Sequence, residues 1–126
     1  MTASSYAREL VQRAAAAADS KAGEDLVALD VSGPLPLADI FLLVSGRNER
    51  QVLAIADEIE DALGEIGVKA LRREGRGEAH WILLDFGDLI VHVFHQEDRT
   101  YYSLERLWKD CPVVPIELPV KQGAGS

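Results

Sequence analysis

All three histidines of the chain and two of its aspartates fall within residues 80–95, HWILLDFGDLIVHVFH, where two apolar runs meet at a DFG turn. Histidine and carboxylate at short spacing are the raw material of a metal site, a general acid–base pair or a polar patch read by a partner. Which of these is open depends on which side chains converge. With Phe86 and Gly87 as the central residues of a tight turn, Asp85 lies opposite Asp88, Leu83 opposite Ile90 and Trp81 opposite His92. Strand side chains alternate at period two, so Trp81, Leu83, Asp85, Asp88, Ile90, His92 and Phe94 share one face. His80, Ile82, Leu84, Leu89, Val91, Val93 and His95 share the other, which reads as core.

This alternation limits the chemistry. His92 and His95 are three apart in a strand and point to opposite faces, so they do not chelate one ion together. Asp88 and His92 share a face but stand about 13 Å apart at roughly 3.3 Å per residue, beyond the reach of a single cation. No metal and no cofactor are expected. Asp85 and Asp88 are expected to form a close like-charge pair in this register. No nucleophile or phosphate loop accompanies them, and the Gly-rich loop, strand lysine and catalytic-loop pattern that give DFG its kinase meaning are missing. What remains is a face of one tryptophan, two acids, a histidine and several aliphatics, the mixture found where proteins dock. Pattern alone also leaves open a plainer reading, in which Trp81 is core beneath a loop and the acids solvate a turn.

Charge narrows the partner. There are 21 acidic against 13 basic side chains, a formal charge of -8 and a pI near 4.8. Phosphate backbones are gripped by Lys and Arg, so little direct nucleic-acid binding is expected, and a basic protein fits better. At 126 residues the chain fits one domain, residues 1–118, followed by a disordered polar tail, 119–126. No apolar run approaches the roughly 20 residues of a spanning helix, and the N-terminal stretch interleaves charges with its alanines, unlike a signal peptide. With the single Cys111, which cannot form an internal disulfide, these features point to the cytoplasm.

Several elements must position the hairpin. Ser4 or Ser5 caps a helix over 4–18 with Tyr6, Leu10, Val11 and Ala14 on one stripe. Strands follow at 25–31 and 39–45, the second an almost continuous apolar run and so central in the sheet. Asn48 caps a second helix, with Gln51 as its capping-box partner, an apolar stripe of Val52, Ile55, Ala56, Ile59, Leu63 and Ile66, and Gly67 as the stop. Asp57, Glu58, Glu60, Asp61 and Glu65 form its solvated face. A short strand near 68–73 precedes the hairpin, a last helix starts near Ser103 with Leu104, Leu107 and Trp108 on one side, and the three prolines of CPVVPIELP keep that run extended on the body. The order α-β-β-α-β-β-β-α predicts an α/β single-domain, two-layer sandwich: a mixed sheet of about five strands with helices on one side and the other side partly open.

The blocks ALDV, ADIFLLVSGRNERQVLAIADEIE, HWILLDFGDLIVHVF and the later YYSLERLW, in this order over about residues 5–115, resemble the ribosomal silencing factor family, also called the iojap family. The resemblance implies a nucleotidyltransferase-like topology without catalytic residues. It further implies a translational repressor, active in nutrient limitation, that binds the large ribosomal subunit through its ribosomal protein fourteen at the intersubunit face and blocks joining of the small subunit. The family's matching positions here are Trp81, Asp85, Gly87, Asp88 and His92, which the pleat already sets on or beside one face. Leu83 belongs to that face, and Glu74 with Gly75 extends the patch. Arg99 and Glu105 are a possible ion pair locking the last helix. Two departures occur: Ile40 where the family commonly carries an aromatic, and SGRNER in place of a smaller or hydroxyl residue after the strand. A nucleotidyltransferase-like enzyme using Asp30, Asp39, Asp85 and Asp88 is the rival reading, although SGRNERQ lacks the Asp-x-Asp pair that such enzymes use to hold metal. A homodimer through the exposed sheet face is expected of the free chain.

Overall fold

A computed structural model describes residues 3–33, 38–98 and 109–118. The expected last helix with Leu104, Leu107 and Trp108, the Arg99–Glu105 pair and the polar tail lie outside the described residues.

Helix α1 spans Ser5–Ser20, and the Ser4 side chain accepts a hydrogen bond from the Ala7 amide as its N-cap. Strands β1 (Glu24–Asp30) and β2 (Ile40–Gly46) pair antiparallel, and helix α2 (Glu49–Gly64) follows. Asn48 caps α2 by accepting from the Gln51 amide at 2.9 Å. Gln51 reaches back as expected, but one residue further, to the Arg47 amide, while its own NH₂ donates to the Lys21 and Ala22 carbonyls. It thereby ties the start of α2 to the end of α1. Val52, Ile55, Ala56, Ile59 and Leu63 are buried, whereas Ile66 lies past the end of the helix and is exposed. The chain reverses there with Gly67 at φ +83.

Strands β3 (Arg72–Glu74), β4 (Trp81–Asp85) and β5 (Leu89–His95) complete a mixed five-stranded sheet in the order β1-β2-β5-β4-β3. Only β2 and β5 run parallel, and β2 is buried along its whole length. Both helices cover one face, where Ile40, Leu42, Val44, Ile82, Leu84, Leu89, Val91 and Val93 meet the α1 and α2 stripes in a single apolar core. Fully burying each such side chain contributes roughly 1.5–3 kcal/mol.

The opposite face is less open than expected. Leu29, Val31, Ala38, Phe41, Leu43 and Phe94 form a second buried cluster, with Val27, Trp81, Ile90 and Cys111 partly buried against it. Burial, with Asp30 and Asp110 nearby, pushes the Cys111 thiol pKa up, which leaves it poorly reactive. The proline-rich run lies extended along β1: Asp30 N–H donates to the Pro112 carbonyl and Val114 N–H to the Ala28 carbonyl, each at 2.8 Å, around a Leu29–Val113 bridge.

Candidate functional site

The hairpin is shifted by one pair from the expected register. Asp85 pairs with Ile90, Leu83 with His92 and Trp81 with Phe94, and Phe86 N–H donates to the Leu89 carbonyl at 2.8 Å. The central turn residues are therefore Gly87 and Asp88, with Gly87 at φ +91 in the first position, where a type II′ turn takes glycine. The cause is Phe86. Left in the strand, it points to the helix-covered face and is buried in the main core together with Leu89; made a turn residue, it would lose that burial.

A shift of two residues preserves pleat parity, so Trp81, Leu83, Asp85, Ile90, His92 and Phe94 still share a face. Asp88 does not join them. It sits exposed in the turn, and its carbonyl accepts the Asp39 and Ile40 amides, anchoring the start of β2. The expected Asp85–Asp88 pair is thus replaced by two separate structural roles. Asp85 accepts a hydrogen bond from the Gly87 amide at 2.9 Å and lies 3.9 Å from the Arg72 guanidinium.

Glu74 pairs with Leu83 across β3 and β4, which brings Glu74, Gly75, Trp81 and Leu83 around one shallow pocket of about 220 Å³. Gly75 is required there twice over. Its φ is +91, and a Cβ would stand 2.0 Å from the Trp81 carbonyl oxygen. The loop then closes through Ala79 N–H to the Gly75 carbonyl, with Ala79 held at φ +56 immediately ahead of His80 and Trp81. The pocket wall is accordingly built by backbone that only one residue type fits.

His92 departs from the expectation of a contact residue on the surface. It is only 4% exposed, set edge-on to Phe41 at 4.8 Å and stacked on Phe94 at 6.1 Å. Burial pushes its pKa down to about 4, so the ring is neutral at physiological pH. Its Nδ1 accepts the Trp81 indole N–H at 3.1 Å. The half-buried indole also stacks on Phe94 with centroids 5.4 Å apart. Trp81 therefore has one edge fixed in the molecule and another on the pocket.

The other two histidines form a cluster that sequence reasoning did not find. His80 and His95 stack at 5.2 Å on the helix-side face, His80 Nε2 lies 3.2 Å from a Glu49 carboxylate oxygen, and Nδ1 meets Asp98. The hydrogen bond to Asp98 raises the His80 pKa against a smaller opposing effect of desolvation, with further help from the Asp98 and Glu49 charges. Two signals were missing: the hairpin register that sets His80 opposite His95, whose N–H donates to the His80 carbonyl at 2.8 Å, and the parallel pairing of Gly46 with His95, which carries this end of the sheet to the start of α2. Among the described residues no group of three or more His, Cys, Asp or Glu is arranged to hold a metal.

The acids of the enzyme reading are occupied elsewhere. Asp30 is buried and accepts from the Ala3 amide, the Ser32 amide and the Ser32 hydroxyl, and Asp39 accepts the Ser4 amide at 2.8 Å. Burial raises the Asp30 pKa, but the hydrogen bonds from Ser32 and Ala3 outweigh it and hold the carboxyl below the usual range. Both acids serve as anchors for the approach to α1.

The profile of a family described as "Ribosomal silencing factor during starvation" matches residues 4–125. The chain belongs to the ribosomal silencing factor family. It is 44% identical over 115 residues to the ribosomal silencing factor of Bacillus subtilis (strain 168), covering 91% of this chain and 98% of that protein. It is 46% identical over 110 residues to that of Halalkalibacterium halodurans, covering 87% and 94%. A crystal structure of a protein from Chromobacterium violaceum superposes with a TM-score of 0.78 at 31% identity, covering 92% of this chain and 94% of that one. Membership in the silencing factor family places the chain among ribosome-associated regulatory factors of translation.

Proposed function

We propose that this chain represses translation under nutrient limitation by binding large-subunit ribosomal protein fourteen at the intersubunit face, where it fills space the small subunit needs. The observation that carries this reading is the pocket of Glu74, Gly75, Trp81 and Leu83 on the sheet face away from the helices, with Asp85 on that same face. An indole flanked by carboxylates is suited to a basic, partly apolar protein surface, and the formal charge of -8 favours such an encounter. No chemistry is involved: repression follows from occupancy. A nanomolar complex corresponds to about −12 kcal/mol, within reach of an interface near 1,600 Å² with a few buried anchors. The cytoplasm is the matching compartment. Free in solution, the chain pairs with a second copy through the same face, so that sedimentation should show partner binding and self-association in competition.

Sucrose-gradient analysis of subunit joining tests the proposal. Added at near-stoichiometric ratio, the protein should deplete joined ribosomes and comigrate with the large subunit. Unchanged profiles would overturn it.

A further inference from the structure

The buried His92 is not where stability alone would place a histidine. Among the described residues its Nε2 has no hydrogen-bond partner, although the ring is enclosed by Phe41, Phe94 and Trp81. A buried polar atom without a partner is unfavourable, and a phenylalanine of similar shape would avoid it. The same ring does one thing a phenylalanine cannot: Nδ1 accepts the Trp81 indole N–H at 3.1 Å, diagonally across the β4–β5 pairing. Accepting at Nδ1 requires the neutral tautomer with its proton on Nε2, so the unpartnered N–H is the direct cost of the indole contact.

We infer that His92 is a positioning residue, which holds the Trp81 indole in its docking orientation before any partner arrives. This inference rests on the proposed docking role of Trp81 and adds how that role is prepared. Among the described residues three contacts bear on the indole's pose: the stack on Phe94, the hydrogen bond to His92 and the wall it shares with Glu74, Gly75 and Leu83. Of these, the hydrogen bond is the directional one: it selects the χ1 and χ2 angles that aim the indole N–H at Nδ1, whereas stacking tolerates sliding of one ring over the other. Fixing an anchor in its bound orientation lowers the ordering cost of association. With its pKa pushed down to about 4, the ring stays an acceptor throughout the physiological range.

The test compares wild type, His92→Phe, His92→Asn, Trp81→Ala and the His92→Phe/Trp81→Ala double variant, with purified large ribosomal subunits as the binding probe. His92→Phe should melt at or above the wild-type temperature yet bind about tenfold more weakly, and the Trp81 indole N–H should lose its protection from hydrogen exchange. Asparagine places an amide oxygen near the position of Nδ1, so His92→Asn should restore part of both the protection and the affinity. In the double variant the loss should equal that of Trp81→Ala alone, because His92 acts only through the indole. If His92→Phe binds like wild type while Trp81→Ala does not, the positioning role is overturned and the docking face stands. If Trp81→Ala also binds like wild type, both fall. Should His92→Phe not fold, His92→Asn decides by the same two readouts: unprotected indole with wild-type affinity overturns the inference.

Discussion

The two faces of the sheet are built on opposite terms. At its centre the helix-covered face is aliphatic and fully buried, with Ile82, Leu84, Val91 and Val93 against the stripes of α1 and α2. The other face mixes aromatics, a buried histidine, the half-buried Asp85 and the exposed Glu74, and it carries a polar atom without a partner among the described residues. The first face maximises stability, while the second gives some of it up to hold an indole at a pocket rim. Proteins commonly relax local rules of packing at functional surfaces, and the contrast supports the docking face proposed above.

Substitutions can break or sharpen this contrast. Leu84→Ala, on the helix side, should show the largest effect, a loss of about 2–5 kcal/mol in unfolding free energy by denaturant titration, while the molecules that remain folded bind normally. Trp81→Ala should invert the pattern. Large-subunit binding should weaken by about 2 kcal/mol or more, close to thirtyfold, and the midpoint of unfolding should move less than for Leu84→Ala. Gly75→Ala should cost about 1–3 kcal/mol from its positive φ alone, and the clash with the Trp81 carbonyl should also disturb the pocket, so binding and stability fall together.

The smallest effects are those of pH. The His80 pKa is raised in the folded protein, so its contribution to stability is present below the unfolded value near 6.5 and disappears as pH rises through the folded value. Thermal melts of wild type and His80→Gln should therefore diverge at mildly acid pH and converge above neutrality. Asp30 runs the other way. Its lowered pKa makes its contribution full above the unfolded value near 3.8 and lost as pH falls through the folded one, so Asp30→Asn should flatten the acid limb of the stability curve.

Much of this arrangement was legible in the sequence, and what was missed has physical causes. The α2 stripe and its Asn48 cap followed from helical periodicity, and the sharing of one face by Trp81, Leu83, Asp85 and His92 followed from strand alternation. That grouping survived a wrong turn assignment because the register moved by an even number of residues. Asp88 was misplaced because the burial of Phe86, a long-range effect, decided which residues turn. His92 was expected at the surface because periodicity assigns a face but not its depth: the second cluster around Phe41, Leu43 and Phe94 forms only when strands distant in sequence meet. The His80–His95 stack follows from the shifted hairpin register, which sets the two residues opposite each other, and only its approach to Glu49 needed the parallel β2–β5 junction.

The strip formed by residues 112–114 along β1 has a consequence for crowding at high concentration. Its hydrogen bonds with Ala28 and Asp30 occupy edge backbone groups of β1 that would otherwise be open to a neighbouring chain, so this stretch of the edge is blunted against strand-by-strand association.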